Sequence, residues 1–411
     1  MANTARTVGA ADAAGTTDSA APVTPVSPAT PAARPSPATP STARAINDRA
    51  ALDLFAARGP LTALALAEAT GLAKPTVAEL LARLQEGGLV EPAGSRKTDK
   101  RGPNAKLYAL AAGRACVAGI DARAEVVHLS LADLAGRPLA ETTVRIPPRL
   151  SEDAVPDLLV GELLALAGQS PPGRPAAPLL AVTIGMPGLV NPATGQIGPT
   201  PVVGPIWHQR LAAAVRERTG PDPAAVVLEN EVNLAAIAEH RLLAGQGIDT
   251  FALLWLDTGV GAAIVLDGVL RRGASGGAGE IGFLPAPGAR RRIDPDDGSS
   301  AGPSGICDLL DARSLAELTD PLPEADRLAA VAGQVIFGVA AFALTLDPGV
   351  VVLGGENGSA GGAELAALVE RRLPEICPVP TRILPTAVPG NPILAGAVAT
   401  ALARARAMLW P

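Results

Sequence analysis

Leu61-Thr-Ala-Leu-Ala-Leu-Ala-Glu-Ala-Thr-Gly-Leu-Ala-Lys-Pro-Thr-Val-Ala-Glu-Leu-Leu-Ala-Arg-Leu-Gln-Glu-Gly-Gly88 reads as two short helices across a tight turn. Thr62 is the expected N-cap of the first helix, with Leu66 and Ala69 facing inward, and Gly71-Leu72-Ala73 forms the turn. Lys74-Pro75-Thr76 then opens the second helix, where Pro75 suits a first-turn position that needs no N–H donor. Val77, Leu80, Leu81 and Leu84 recur at helical spacing, and Gly87-Gly88 ends the run. Two helices across a glycine turn are the layout of a helix-turn-helix, whose second helix enters the DNA major groove. Lys74, Pro75, Thr76, Glu79 and Arg83 then stand where base edges would be met, with a solvated helix face the equal alternative for Glu79 and Arg83.

The flanks extend this unit. Ala43 to Arg58 reads as a preceding helix closed by Gly59-Pro60. Downstream, Leu89-Val90 starts a strand, Gly94 to Asn104 is a polar loop, and Lys106 to Leu110 returns as a second strand. This wing carries Arg96, Lys97, Lys100, Arg101 and Lys106 against one acid, Asp99, which suits a phosphate backbone. Between Arg44 and Arg114, 11 Lys or Arg face 7 Asp or Glu, a local balance of +4 in a chain of net charge -6. A small helical bundle without a nucleic-acid role shares the helical layout, and the basic wing favours DNA.

At 411 residues the chain is long enough for two or three domains, and a hydrophobic content of 48% supplies a sizeable core. Residues 1–42 are runs of Ala, Pro, Thr and Ser that bury little, so a disordered tail is expected there. Cys116, Cys307 and Cys377 lie too far apart in sequence for a disulfide framework or a short-range metal-ligand pair. No signal-peptide core precedes residue 42, and no apolar run reads as long enough to span a bilayer. A soluble, cytoplasmic protein without a membrane partner is expected.

Beyond Gly113 strands and helices alternate, which argues for an α/β body with mixed sheets. Strands are expected at Cys116–Asp121, Val126–Leu131, Leu179–Ile184, Val226–Glu229, Phe251–Leu256, Ala262–Leu266 and Val350–Leu353. Helices are expected at Val155–Ala167, Ile206–Arg218, Asn233–Ala244, Ala325–Leu346, Ala363–Arg372 and Ile393–Met408. Gly259 and Gly261 lie between apolar strands, where bare backbone N–H groups can approach a phosphate or simply turn a hairpin. Asn230 and Glu231 close a buried strand at a cleft edge. Glu280 follows a mobile glycine run, Gly276-Gly277-Ala278-Gly279, that can bring its carboxylate to a ligand hydroxyl. Such amides and carboxylates suit a sugar, and they also serve as helix caps.

Four segments occur in a telling order: Gly185-Met-Pro-Gly-Leu-Val-Asn-Pro-Ala-Thr-Gly195, Glu229-Asn-Glu-Val-Asn-Leu-Ala-Ala-Ile-Ala-Glu239, Asp257-Thr-Gly-Val-Gly-Ala-Ala-Ile-Val265 and Gly277-Ala-Gly-Glu-Ile-Gly282. In order and spacing they resemble the ROK family of repressors, open reading frames and kinases. The head resembles that of the family's regulator branch at Gly71-Leu72, Pro75-Thr76-Val77 and Gly88-Leu89-Val90, so the likeness runs from Ala43 to about Ala407. It implies a winged helix-turn-helix at 43–112 and a two-lobed actin-like (ribonuclease-H-like) ATPase fold at 113–411, with a sugar cleft and a homodimer or homotetramer.

Departures from the family then separate enzyme from regulator. Its kinases resemble Asp-x-Gly-x-Thr at the first strand, where this chain reads Asp121-Ala-Arg-Ala-Glu125. Arg123 fills the glycine position and Glu125 replaces the threonine, so Asp121, Gly259 and Gly261 belong to degenerate phosphate loops. Glu231 stands at the place of the family's catalytic Asp; the extra methylene moves the oxygen by about 1 Å, which costs on the order of 100-fold in rate. Gly279-Glu-Ile-Gly-Phe283 lacks the family's His, and Arg290 to Asp308 holds only Cys307, too few ligands for structural zinc. In one alignment Asp308 replaces a sugar-binding glutamate; a one-residue shift puts Cys307 at the old zinc position. No catalytic residue, metal or cofactor is expected. Asn230, Glu231, Glu280 and Asp308 are the candidate sugar set, double-stranded operator DNA the expected partner, and repression the expected output. A kinase with an accessory head, or a ligand-blind dimerising body, is the alternative.

Overall fold

The structure, a computed structural model, describes residues 40–96, 104–169, 177–198, 207–219, 225–285, 305–320 and 322–410. Lys97, Lys100 and Arg101 of the wing and residues 1–39 of the expected tail lie outside the described residues.

The head comprises α1 (Pro40–Arg58), β1 (Leu61–Thr62), α2 (Ala63–Thr70), α3 (Lys74–Glu86), β2 (Val90–Arg96) and β3 (Ala105–Leu110). Thr62 caps α2 by accepting from the Ala65 N–H at 3.1 Å, and Gly71 closes it in the left-handed conformation that glycine adopts without a Cβ clash. Three expectations change. Pro40 to Thr42 belong to α1 rather than to a tail, because Pro40 sits at the helix start, where no N–H is needed. Leu61 and Thr62 pair with Tyr108 and Leu107 as a short strand rather than opening the helix. Ala69 is exposed, because inner contact in so short a helix falls to Leu66.

The body holds two five-stranded sheets of the same order. The first contains β4 (Cys116–Ala122), β5 (Val126–Asp133), β6 (Pro138–Arg145), β7 (Leu179–Met186) and β8 (Val226–Asn230), arranged β6-β5-β4-β7-β8. Helices α4 (Val155–Ala167) and α5 (Trp207–Thr219) cover one face, and α6 (Glu231–Leu243) follows β8. The second sheet contains β9 (Phe251–Leu256), β10 (Val260–Leu266), β11 (Val269–Leu270), β12 (Val350–Gly354) and β13 (Arg382–Pro385), arranged β11-β10-β9-β12-β13. Against it pack α7 (Cys307–Leu310), α8 (Ala312–Thr319), α9 (Glu324–Leu346) and α10 (Gly355–Arg372). In each lobe two antiparallel pairings precede two parallel ones, the repeated plan of a two-lobed actin-like fold.

The last helix, α11 (Pro392–Leu409), lies on the first sheet beside α6. β4 is buried along its whole length because helices cover both faces, as an unbroken apolar run requires. The close approach needs missing side chains. A Cβ on Gly396 would stand 1.9 Å from the Leu234 carbonyl oxygen, and one on Gly119 would stand 2.8 Å from the Val398 nitrogen. At its far end α11 places Ala401, Leu402, Ala405 and Trp410 in one core with Leu52, Phe55, Leu66 and Leu80 of the head.

Elements missing from the sequence reading are edges or short pieces: β6, β11, β13, α7 and α8. β6 opens on a proline and alternates exposed Glu141 and Arg145 with half-buried positions, an edge-strand composition. α10 starts at Gly355 rather than Ala363 because two helical pieces meet across a kink at Gly362 (φ 52°, ψ -146°). Contrary to expectation, Asp326–Leu346 and Pro392–Leu409 are long and apolar enough to cross a membrane by length and composition alone. Inside this fold both pack as core helices, through Val335, Val339 and Phe342 in α9 and Ile393, Ala397 and Ala401 in α11.

Gly396→Ala is expected to destabilise the chain by about 3 kcal/mol, since backbone stands in the way. Gly161→Ala in α4, with open space around the new Cβ, should stabilise by about 0.5–1 kcal/mol. Urea unfolding distinguishes the two, and equal effects would contradict the close approach of α11.

Candidate functional site

Helix α3 turns Val77, Leu80, Leu81 and Leu84 into the head core and leaves Lys74, Pro75, Thr76 and Glu79 exposed. Arg83 has a structural partner: its Nε and Nη2 donate to Asp48 of α1 at 3.3 and 2.6 Å. This bidentate pair braces α3 against α1 and leaves Arg83 half-buried. Arg114 donates to the Gly87 carbonyl at the end of α3, tying that helix to the body. Arg96 ends β2 in solvent, and the Lys106 ammonium lies 5.1 Å from the Tyr108 ring centroid.

Between the lobes, Arg123 leaves β4 and meets acids from both sheets. Its Nε donates to Asp121 Oδ2 at 3.3 Å, and its Nη1 lies 3.7 Å from Asp257 Oδ2, just past β9. Asp121 is fully buried; Asn391 Nδ2 donates to the same Oδ2 at 2.8 Å, and Oδ1 has no partner among the described residues. Burial opposes the guanidinium charge, but Asp121, Asp257 and Glu231 outweigh it and raise the Arg123 pKa. Glu231 is pushed up to about 7, first by burial and then by the negative charge of Asp121, with Arg123 opposing.

Asn230 is the N-cap of α6: its Oδ1 accepts from the N–H groups of Val232 and Asn233 at 2.8 and 3.2 Å, and its Nδ2 donates to the Gly188 carbonyl at 3.1 Å. Glu231 is therefore the first residue of α6, two positions before the expected start. Gly259 belongs to the β9–β10 turn, its carbonyl accepting from the Asp257 N–H at 3.1 Å, and Gly261 faces Val232 of α6. Asp308 directs Oδ2 to the Gly305 N–H at 2.9 Å, inside its own turn. Burial raises the Glu280 pKa.

The glycine run before Glu280 passes close to the backbone of the first lobe. A Cβ at Gly276 would stand 2.2 Å from the Val190 carbonyl oxygen, which holds the segment against the first lobe. Sequence reasoning missed the ion pair that fastens this loop, Arg272 Nε to Glu229 Oε2 at 2.6 Å, with Asn233 Nδ2 on the other Glu229 oxygen at 2.9 Å. Nothing local signals Arg272. Asn391 was detectable as a cap preceding Pro392, but not as a partner of Asp121.

The raised Glu231 pKa has a definite sign. The folded chain holds a proton that the unfolded chain releases near 4.5, so this contribution is present below that value and is lost as pH rises through about 7. Glu231→Gln should therefore narrow the fall in melting temperature between pH 5 and pH 8. An unchanged fall, followed by circular dichroism, would place the proton elsewhere.

Known proteins match this geometry. The ROK family profile matches residues 117–309, and an IclR helix-turn-helix domain profile matches residues 50–94. The DNA-binding transcriptional dual regulator NagC of Escherichia coli K12 is 25% identical over 241 residues, 59% of this chain and 57% of that protein. The chain thus spans little more than half the length of the curated relative it matches. A ROK family transcriptional regulator described as a homolog of the E. coli MLC protein superposes with a TM-score of 0.65 at 19% identity, over 88% of this chain and 97% of that one. A ROK hexokinase from Thermus thermophilus superposes with a TM-score of 0.54 at 25% identity, over 71% and 99%. The chain thus carries a ROK family domain preceded by an N-terminal helix-turn-helix domain.

Proposed function

We propose that this protein is a cytoplasmic transcription regulator that represses carbohydrate-related genes and does no phosphoryl transfer. Residues 43–112 bind operator DNA, and residues 113–411 form a sensor and dimerisation unit. One observation carries the reading: α3 buries its apolar face completely and leaves Lys74, Pro75, Thr76 and Glu79 bare, in a head whose core is continuous with α11. A buried inner face fixes the orientation of the outer one, as base reading in a major groove requires. Arg96, Lys97, Lys100, Arg101 and Lys106 of the wing supply phosphate contacts. A homodimer would place two heads on a near-palindromic operator, with half-sites about one helical turn or a multiple apart.

Arg123 argues against a kinase. Wedged between Asp121 and Asp257 at the position where the family's kinases admit a phosphate through glycine, it leaves a triphosphate facing acids already paired. Asn230, Glu231, Glu280 and Asp308 are the proposed sugar set, with Glu231 and Glu280 outside the cap and turn bonds that hold Asn230 and Asp308.

Fluorescence anisotropy on DNA upstream of the chain's own and neighbouring genes, at about 0.15 M salt, tests the reading where non-specific phosphate binding is weakened. Tight binding to one fragment, weakened by the Lys74→Ala, Thr76→Ala double variant and released by a sugar, is expected. Binding no tighter than to random DNA at every such fragment and genome-wide would defeat it. With Mg-ATP and sugars, turnover should fall far below the roughly 1–100 per second of kinases.

A further inference from the structure

Helix α11 runs from the cleft to the head, and a cavity of about 440 Å³ opens along its flank. Leu394, Val398 and Leu402 of α11 supply an apolar wall, Ser130 and Glu141 lie on the sheet side, and Arg241 enters from α6. The volume falls within the range of small-molecule sites. Glu141 is already engaged, its Oε1 accepting from the buried Ser130 hydroxyl at 3.0 Å. Arg241 has no carboxylate within ion-pair distance among the described residues.

Arg241 also faces a like charge. Arg406 near the end of α11 donates Nε and Nη2 to the Leu134 carbonyl at 3.2 and 2.9 Å, and its guanidinium lies 5.1 Å from the Trp410 ring centroid. Burial and then the positive charge of Arg241 lower the Arg406 pKa, with Asp53 and Asp133 opposing. Arg241, exposed and with no carboxylate at ion-pair distance among the described residues, makes its end of the cavity attractive to an anion.

We propose that the α11-flank cavity binds a small amphipathic monocarboxylate, its hydrocarbon body on Leu394, Val398 and Leu402 and its carboxylate on Arg241. Among the described residues the site shares with the cleft cluster only Asn391, whose amide holds Asp121. An occupant would touch the helix that carries Trp410 into the head core. The binding step itself does not rest on the DNA-binding reading.

Isothermal titration of the full chain with octanoate and with octanamide, which matches it in length without the charge, tests this directly. Octanoate is expected to bind once per chain and about tenfold more tightly than the amide, the difference one charge-assisted pair makes. Arg241→Gln should remove that difference. Ala395→Phe, which puts a ring on an exposed lining position, should abolish binding of both while thermal unfolding stays unchanged. No octanoate binding in the wild type, equal binding of acid and amide there, or undiminished binding in a folded Ala395→Phe variant would each overturn the proposal.

Discussion

Everything in this molecule is arranged around the insertion of α11 between the first sheet and α6. Eighteen residues rising 1.5 Å each give a rod of about 27 Å. It is almost free of large side chains along its middle, and Gly396 brings its backbone against that of α6. The closeness is possible only with glycine on the helix and on β4, and it makes three packing regions interdependent. The start of α11 sits with β9 and β12, its middle closes the first sheet, and its end completes the head core. The head is thus joined to the body by a shared core rather than by a linker.

The same helix reaches the cleft through its cap. Asn391 accepts from Leu394 to start α11 and donates to Asp121, so the carboxylate that meets Arg123 is positioned by the final helix of the chain. Around Arg123 three carboxylates compete for one guanidinium in a partly buried space. Burial and the negative charge of Asp121 push Glu231 toward neutrality, with Arg123 opposing. An arginine between two aspartates from different lobes ties the lobes electrostatically.

Much of the fold was legible because its signals are local. The inner face of α3, the Thr62 cap, the Gly71 turn and the strand Phe251–Leu256 were all read correctly, each from spacing or turn chemistry within a few residues. Edge strands β6, β11 and β13 were missed, since half-exposed sequence with proline and charge carries little periodicity. The cleft was legible only in part. The replacement of glycine by Arg123 was visible in the chain, but its two partners were not. The glycine run before Glu280 was legible, but its close approach to the Val190 backbone was not. Arg83 pairs with Asp48, 35 positions earlier, a meeting that no local signal gives.

By itself the sequence determined the order of elements, the helix-turn-helix, the α/β alternation and the motifs of the ROK domain, because these depend on periodicity, capping and turn residues acting over short range. Only the tertiary structure decided which polar groups remain available. Asn230 is held by the α6 cap and Gly188, Asp308 by its own turn, Glu229 by Arg272, and Arg123 by acids from two lobes. The reason is physical: hydrogen bonds and ion pairs form wherever folding brings a donor to an acceptor, and residues tens or hundreds of positions apart leave no trace of that meeting in either local sequence.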